Sequence, residues 1–483
     1  TNVTGTTVDL SWTENGTATI WDIEWDTVGF TPTGIPTITG TATNPHPLTG
    51  LTPLTDYEFY VRAYCSASDT SLWSGPYMFS TLCATQLSGA YTIGTAGNYL
   101  TFTDAVNDMV TCGISGPVVF NVLTGSGPFN EQITIPPIIG ASGVNTITFN
   151  GNGEVITSTT STSARSIILL DGADHVTFDS LTVQTQSSTN NFAIQLINNA
   201  DSNTINNCVV DLTSALTSTS STNAGIVVSG SLTSATTAGA SGAYNTITNN
   251  HIIGGYYGVT INGASSTSES MNNVVDSNRI EDFYFYGTYL RSISNSSISF
   301  NDISRPNRTS VSTFYGLYFI TSGEGNMIEG NRLHDPFRGL GGVSTSASYP
   351  IYYSSVDATT GNENRVINNL IYNINSNGTI YALYNVGSDG VHYYHNTISL
   401  DDQNATGGTT RGFYQTTTAS NIEFKNNIVT VTRSGGGALY CLYFNATGSA
   451  IVSDNNVLYT PTTVNNTGYF GGAQNTLTDW QTA

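Results

Sequence analysis

Tyrosine returns to one fixed place in a phrase that the chain repeats. Tyr289, Tyr318, Tyr352, Tyr384, Tyr414 and Tyr443 each hold the fourth position of a five-residue run, as in Tyr286-Gly-Thr-Tyr289-Leu and Tyr315-Gly-Leu-Tyr318-Phe. Earlier runs carry Gln195, Val227 and Thr260 there, and eight steps lead from residue 195 to residue 443, about 31 residues per step. A tyrosine offers a flat apolar face and a polar tip. A sugar ring offers a matching apolar face and a rim of hydroxyls. A stripe of such rings suits carbohydrate contact, although aromatic stacking between repeats would also simply stabilise the structure. Arg279, Arg305, Arg308, Arg332, Arg338, Arg411 and Arg433 fall in the connections around these runs. Guanidinium forks suit sulfate or carboxylate groups. The ligand-binding candidates are therefore the six tyrosines with Arg305, Arg308, Arg338 and Arg411.

A second set could move protons. His334, Asp335 and Arg338 lie in or at the start of the connection 334–348, beside the stripe, and His392 and His395 share one short run. Eliminating a uronate needs a base for the C5 proton and a cation to neutralise the carboxylate. These five residues are the weak catalytic candidates. A lone histidine is more often a satisfied surface or turn residue. No nucleotide, haem or zinc motif is present, so no cofactor or metal is expected. A calcium ion is compatible with the acidic composition, yet no residue pattern supports it.

The elements that must position these residues are strands. Side chains alternate faces along a strand. Positions three and five of the phrase are mostly Ile, Val, Leu and Phe and point inward, so the fourth points out. In-register parallel strands lie about 4.8 Å apart, which makes the six tyrosines a stripe roughly 24 Å long. By the same parity Tyr257, Tyr286, Tyr315, Tyr349, Tyr381 and Tyr440, in the first position, face inward or stack inside a turn. A second phrase, Asn-x-Ile-x-x-Asn-x-Ile, recurs at 245–252, 273–280, 326–333, 364–371 and 421–428. It describes two short strands around a bend, where Asn tolerates the left-handed conformation, and predicts a stacked Asn ladder. From residue 117 to residue 483 these repeats resemble right-handed parallel β-helix proteins. That fold is shared by lyases, hydrolases, adhesins and passive stalks, so it does not settle function. The aspartate, Gly-His-Gly and Arg-Ile-Lys motifs of polygalacturonase-type hydrolases are absent. Arg305-Pro306-Asn307-Arg308 resembles the pectate-lyase Arg-x-Pro-x-x-Arg run only with altered spacing.

Residues 102–110 are the best helical stretch. Thr103 is the expected cap, and Ala105, Val106, Met109 and Val110 form one apolar face. The helix fits a cap over the open end of the solenoid core. Upstream, residues 1–83 alternate apolar and polar residues in short runs between Gly/Pro/Thr turns, which indicates an antiparallel sandwich. Leu51-Thr52-Pro53-Leu54-Thr55-Asp56-Tyr57, Trp12 and Trp73-Ser74-Gly75-Pro76 resemble the tyrosine corner, strand-B tryptophan and late Trp-Ser segment of fibronectin type III domains. The resemblance implies a spacer or binding module with its first strand missing. Residues 84–90 read as a linker, and 91–483 as the β-helix, expected to continue past Ala483. The expected fold class is all-β: a fibronectin III-like sandwich, then a right-handed parallel β-helix with one N-terminal capping helix.

Composition bounds the function. The 483 residues carry 12 Lys and Arg against 33 Asp and Glu, a net charge of −21. Phosphate contact needs a basic surface, so general nucleic-acid or anionic-membrane binding is disfavoured. No run of about 18 apolar residues exists to span a membrane as a helix. Ten of the 12 cations fall in 279–433, which lifts the local charge around the tyrosine runs. Five cysteines leave at least one thiol free and allow a bridge such as Cys65–Cys83. Gly116-Pro-Val-Val-Phe-Asn-Val and the Thr-rich sandwich look like large secreted surface proteins of Bacteroidota, commonly exported by type IX secretion. That resemblance implies an extracellular or cell-surface place, adhesion or polysaccharide capture, and secretion or surface-attachment proteins as further partners. The first reading is an adhesin-like, non-catalytic β-helix binding glycan through its stripe. The alternative is a secreted polysaccharide lyase or glycoside hydrolase acting on an anionic polysaccharide.

Overall fold

The computed structural model describes residues 2–66, 69–461 and 466–483. The N-terminal unit is a sandwich. Thr7–Leu10 pairs antiparallel with His46–Thr49, and Ile38–Thr41, Trp21–Thr27, Asp56–Ser66 and Ser74–Ser80 build the facing sheet. Alternation does what it should: Val8 and Leu10 are buried while Thr7 and Asp9 are not. They meet Ile23, Leu48, Tyr57, Phe59 and Val61 in one core. The Tyr57 hydroxyl accepts the Thr52 N–H at 2.9 Å, which closes the tyrosine corner. Trp12 packs edge-on against Trp21, with ring centroids 5.4 Å apart.

The cysteine pairing differs from the expected one. Cys83 bridges Cys112, whereas Cys65 is exposed and free and Cys208 and Cys441 are buried thiols. The segment read as a linker also carries structure, because strand Leu87–Ile93 begins inside it.

Among the described residues the second unit is a β-helix of three essentially parallel sheets with 13, 12 and 13 strands, the last strand of the 13-stranded tyrosine-bearing sheet pairing antiparallel. We call them first, second and third in the order in which each coil visits them. One coil runs Val274–Asp276, Arg279–Glu281, Tyr286–Arg291. The next coil stacks on it in register, pairing Val275 with Ile298, Ile280 with Ile303 and Leu290 with Phe319. These stacked apolar columns are buried. They explain the 2-residue period of the sequence, since a one-residue slip would turn every column to solvent.

Two polar ladders run along the corners. Between the first and second sheets, Asn250, Asn278, Asn301, Asn331, Asn369, Asn396, Asn427 and Asn456 pass amide hydrogen bonds from coil to coil at 2.9 to 3.1 Å. Between the third and first sheets, Asn203, Asn245, Asn273, Ser296, Asn326 and Asn364 each use a side-chain oxygen to accept a backbone N–H or use their own N–H to donate onward, at 3.0 to 3.1 Å. The left-handed residue is not the ladder asparagine but the one before it: Asn249, Ser277, Phe300, Asn368, His395 and Asn426 all have φ between 52° and 59°. The ladder residue is turned inward to satisfy buried backbone groups that the bend leaves without strand partners.

Helix Phe102–Cys112 is the longer of two α-helices among the described residues. Its cap is Thr101, not Thr103: Thr101 Oγ1 accepts the Asp104 N–H and the Asp104 carboxylate accepts the Thr101 N–H, both at 3.1 Å. Glu131 adds a second cap by accepting the N–H groups of Phe102 and Thr103. Phe102 replaces Val110 in the buried face, for Val110 is 43% exposed. The Phe102 ring packs on Phe129 and Phe149 of the solenoid, in keeping with a capping role.

Candidate functional site

The fourth-position tyrosines form one continuous column. Tyr289, Tyr318, Tyr352, Tyr384, Tyr414 and Tyr443 are direct register partners in successive strands of the third sheet, and Tyr469 extends the column. Neighbouring centroids are 4.3 to 5.4 Å apart. Seven rings at about 4.8 Å per coil span roughly 29 Å. All seven are half-buried and face outward.

The first-position tyrosines face outward too, against the parity expectation. Positions two and three both turn inward, as the burial of Gly287 and Thr288 between half-buried Tyr286 and Tyr289 shows. The step requires a small residue at position two. A Cβ on Gly287 would lie 2.8 Å from Ile303 Cγ2 of the second sheet. Tyr286, Tyr315, Tyr349 and Tyr381 thus make a second column beside the first. Rings of the two columns meet edge to face: Tyr286 with Tyr289 at 5.2 Å and 89°, Tyr381 with Tyr384 at 5.1 Å and 76°. This arrangement aligns the positive edge of one ring with the negative face of the next.

Arg411 takes the first position in its coil, in register between Tyr381 and Tyr440. It lies within the aromatic face, its guanidinium carbon 3.7 Å from the ring centres of both Tyr414 and Tyr443. Its Nε and Nη1 are buried without hydrogen-bond partners, so π faces stand in for anions around it. Burial pushes the Tyr384 phenol up to about 12. Burial first, then neighbouring phenols, raises Tyr286, Tyr315 and Tyr318 as well. These four phenols stay protonated at neutral pH.

Arg305, Arg308, Arg338 and Arg433 do not join this face. Arg305 and Arg308 are buried, which corrects their place among the ligand candidates. Arg305 donates to the carbonyls of Pro336, Tyr284 and Ser312, and Arg308 to those of Ser310, Asp282 and Ser218. Arg433 is spent in the same way on Gly408, Thr410 and Gly378. These guanidinium groups stitch together Ser/Gly-rich connections whose carbonyls lack other donors.

His334, Asp335 and Arg338 come together, but on the second sheet and its adjoining corner rather than beside the tyrosines. There they line a pocket of about 480 Å³ with Arg279, Glu281, Phe300, Asp302 and Arg332. His334 Nε2 lies 2.9 Å from Asp302 and Nδ1 lies 2.7 Å from Asp335. Burial alone would lower this imidazole; the hydrogen bonds to Asp302 and Asp335 outweigh it and raise the pKa above its ordinary value. Both ring nitrogens face carboxylate oxygens, an arrangement that favours the protonated form. His392 sits on the first sheet, hydrogen-bonded to Tyr394 and Asn421. His395 is the exposed left-handed bend residue of its coil. The five catalytic candidates therefore fall into three places: His334, Asp335 and Arg338 together, His392 and His395 each apart.

Comparison with known proteins bears on the two units differently. Residues 1–79 match the family model of the fibronectin type III domain. No curated protein matches the chain. Among solved structures the chain is similar to PfbA, a surface adhesin of Streptococcus pneumoniae, at 11% identity and TM-score 0.36 over 67% of this chain and 79% of that one. It is similar to the periplasmic alginate epimerase AlgG at 12% identity and TM-score 0.32 over 71% and 76%. It is also similar to the catalytic unit of a thermostable GH87 alpha-1,3-glucanase from Streptomyces thermodiastaticus strain HF3-3, at 13% identity and TM-score 0.31 over 93% and 86%. Likeness at this level concerns the fold and not the activity.

Proposed function

We propose that this protein is an extracellular, adhesin-like β-helix that holds a polysaccharide along its tyrosine face. The observation that carries the reading is the two-column, in-register array of half-open phenol rings on the third sheet. The coil spacing of about 4.8 Å is close to the length of one sugar residue, so a chain lying along the solenoid meets a ring at each step. Sugar rings stack on the phenol faces and hydroxyls reach the phenol tips. The Cys83–Cys112 bridge supports an oxidising compartment outside the cytoplasm. No helix among the described residues is long and apolar enough to cross a membrane.

Affinity electrophoresis through gels loaded with neutral and acidic polysaccharides tests this. Wild-type protein is expected to be retarded by at least one of them, and Tyr384→Ala to lose most of that retardation. A panel that retards neither protein ends the reading. In the alternative, a lyase or hydrolase, His334 would have to give up its carboxylate partners Asp302 and Asp335 to act as a base. This alternative is tested on the same panel by the appearance of new reducing ends or of an unsaturated product absorbing in the ultraviolet.

A further inference from the structure

We infer that the second sheet carries a separate site for a single acidic sugar unit, with Phe300 as its platform and Arg338 and Arg332 as its anion contacts. The site is independent of the tyrosine face, which belongs to the third sheet.

Phe300 is the first observation. It occupies the left-handed bend position that Asn249, Ser277, Gly330 and Asn368 fill in other coils, at φ 52°. A bulky residue there costs about 1–3 kcal/mol relative to a relaxed backbone. Burial does not offset that cost, because Phe300 is 60% exposed. The Cδ1–Cε1 edge of the ring lies against Gly330, where an added Cβ would sit 2.5 Å from it. Most of the ring surface stays open to solvent. The fold would be served better by Asn, so the reason for the ring lies outside the fold. A rigid, solvent-facing aromatic plate at the mouth of a pocket is what stacks a pyranose.

Charge is the second observation. The pocket of about 480 Å³ holds Glu281, Asp302 and Asp335, and each is already engaged. Asp302 holds Arg332 at 2.8 Å and His334 at 2.9 Å. Asp335 holds His334 at 2.7 Å. Glu281 holds Arg279 at 2.6 Å and His251 at 2.8 Å. Arg338 is exposed and its side chain has neither an ion pair nor a hydrogen bond among the described residues. Arg332 keeps free N–H groups, for its side chain is 58% exposed while one nitrogen binds Asp302. The pocket's three guanidinium groups thus match its three carboxylates, each carboxylate is already engaged, and Arg338 is left without an acid of its own. An incoming carboxylate or sulfate meets Arg338 and Arg332 without competing with a free acid.

Size is the third. The second-sheet strand between the bend at Phe300 and the Arg338 corner, Asp302–Ser304, is three residues long, roughly 10 Å. That accommodates one or two sugar rings, not a folded partner. A uronate and a sulfated sugar share the required chemistry of an apolar ring face and an anionic substituent.

Isothermal titration calorimetry on the full chain decides the matter with three probes: trigalacturonate, a chondroitin-sulfate tetrasaccharide and neutral cellotriose. Wild type is expected to bind one or both charged probes at least about tenfold more tightly than cellotriose. The better charged probe identifies the anion. Arg338→Gln and Phe300→Asn are each expected to weaken that binding about tenfold. Phe300→Asn should melt no lower than wild type, since Asn suits the bend. Arg338→Gln should keep the wild-type gel retardation, which reads the tyrosine face, while losing the tighter binding of the charged probe. Equal binding of charged and neutral probes, or full affinity in both site variants, overturns the proposal. Loss in Tyr384→Ala with none in the two site variants places the acidic sugar on the tyrosine face; this site then fails while the reading of that face stands. Arg338 has no structural partner to lose, so its variant remains informative should Phe300→Asn fold poorly.

Discussion

The third sheet behaves as two different surfaces although its strands are built alike. At the fourth position, Gln195, Val227 and Thr260 occupy the first coils and tyrosines the later ones, all in one register. The first three are completely buried, and the tyrosines are half-open. The difference lies in the connection after Val228. Its Ser231 carbonyl accepts the Gln195 amide at 2.7 Å and its Ala235 carbonyl accepts the Asn262 amide at 2.9 Å. Ala235 then packs with Phe192, Val227 and Tyr257 as a small core on the outside of the sheet. Tyr289 packs against the edge of that core, and beyond it no such cover reaches the column among the described residues. Outward direction and exposure are therefore separate properties. A strand sets the first and the neighbouring connection sets the second.

Placing a charge in each half tests that distinction most severely. Val227→Asp puts a carboxylate under the cover with no partner and is expected to cost about 3 kcal/mol or more. Tyr352→Asp removes ring contacts at a half-open site and is expected to cost about 1–2 kcal/mol. Urea midpoints measure both, and equal losses would erase the proposed difference between the halves. Alkali acts on the open half next. The phenols of Tyr286, Tyr315, Tyr318 and Tyr384 have raised pKa values in the folded state, with Tyr384 at about 12. The unfolded chain, with phenols near their ordinary pKa of about 10, loses those protons first. Their contribution to stability is thus complete below about pH 10 and disappears as pH rises through the folded values. The urea midpoint is expected to hold steady up to about pH 9.5 and to fall from there toward pH 12. Absorbance at 295 nm should show these phenols titrating late.

The repeats made the solenoid legible, because the Asn-x-Ile phrase repeats a whole coil corner and its apolar residues keep register. The column of Tyr289 to Tyr443 was legible for the same reason. What failed failed physically. Parity misplaced Tyr286 and its column because two consecutive residues, Gly287 and Thr288, turn inward; the small residue after each tyrosine was the available sign. Arg305 and Arg308 were counted as surface cations, since a sequence does not show that Ser/Gly-rich connections leave carbonyls for a buried guanidinium to bind. His334 and the tyrosines looked adjacent along the chain, but a coil corner separates a second-sheet strand from a third-sheet one. The Cys83–Cys112 pairing depends on where the helix docks, which spacing does not reveal. Phe300 left a trace as the one aromatic at a bend otherwise held by Asn, Ser, Gly or His.

Arg411 sharpens the comparison from within the open half. It replaces a first-column tyrosine and is held by Tyr381, Tyr414 and Tyr443 rather than by any acid. Arg411→Gln removes a cation–π contact worth about 0.5–2 kcal/mol. It should lower the urea midpoint by that amount and reduce any preference of the tyrosine face for acidic over neutral polysaccharide in affinity electrophoresis. An unchanged preference would mean that the cation serves packing alone.

The smallest effect separates packing from recognition at a single ring. Tyr352 stacks on Tyr318 at 4.9 Å and 21° and meets Tyr384 edge-on at 4.9 Å. Tyr352→Phe keeps both contacts and removes only the hydroxyl, so the urea midpoint should shift by about 0.5 kcal/mol or less. Tyr352→Ala removes the ring and should cost about 1–2 kcal/mol. If the phenol tip touches a sugar hydroxyl, the Phe variant must lose part of the gel retardation despite its intact stability, and the Ala variant must lose more. Retardation that follows stability alone, unchanged in Phe and reduced in Ala only as far as folding is weakened, would show that these rings stack for the solenoid and not for a ligand.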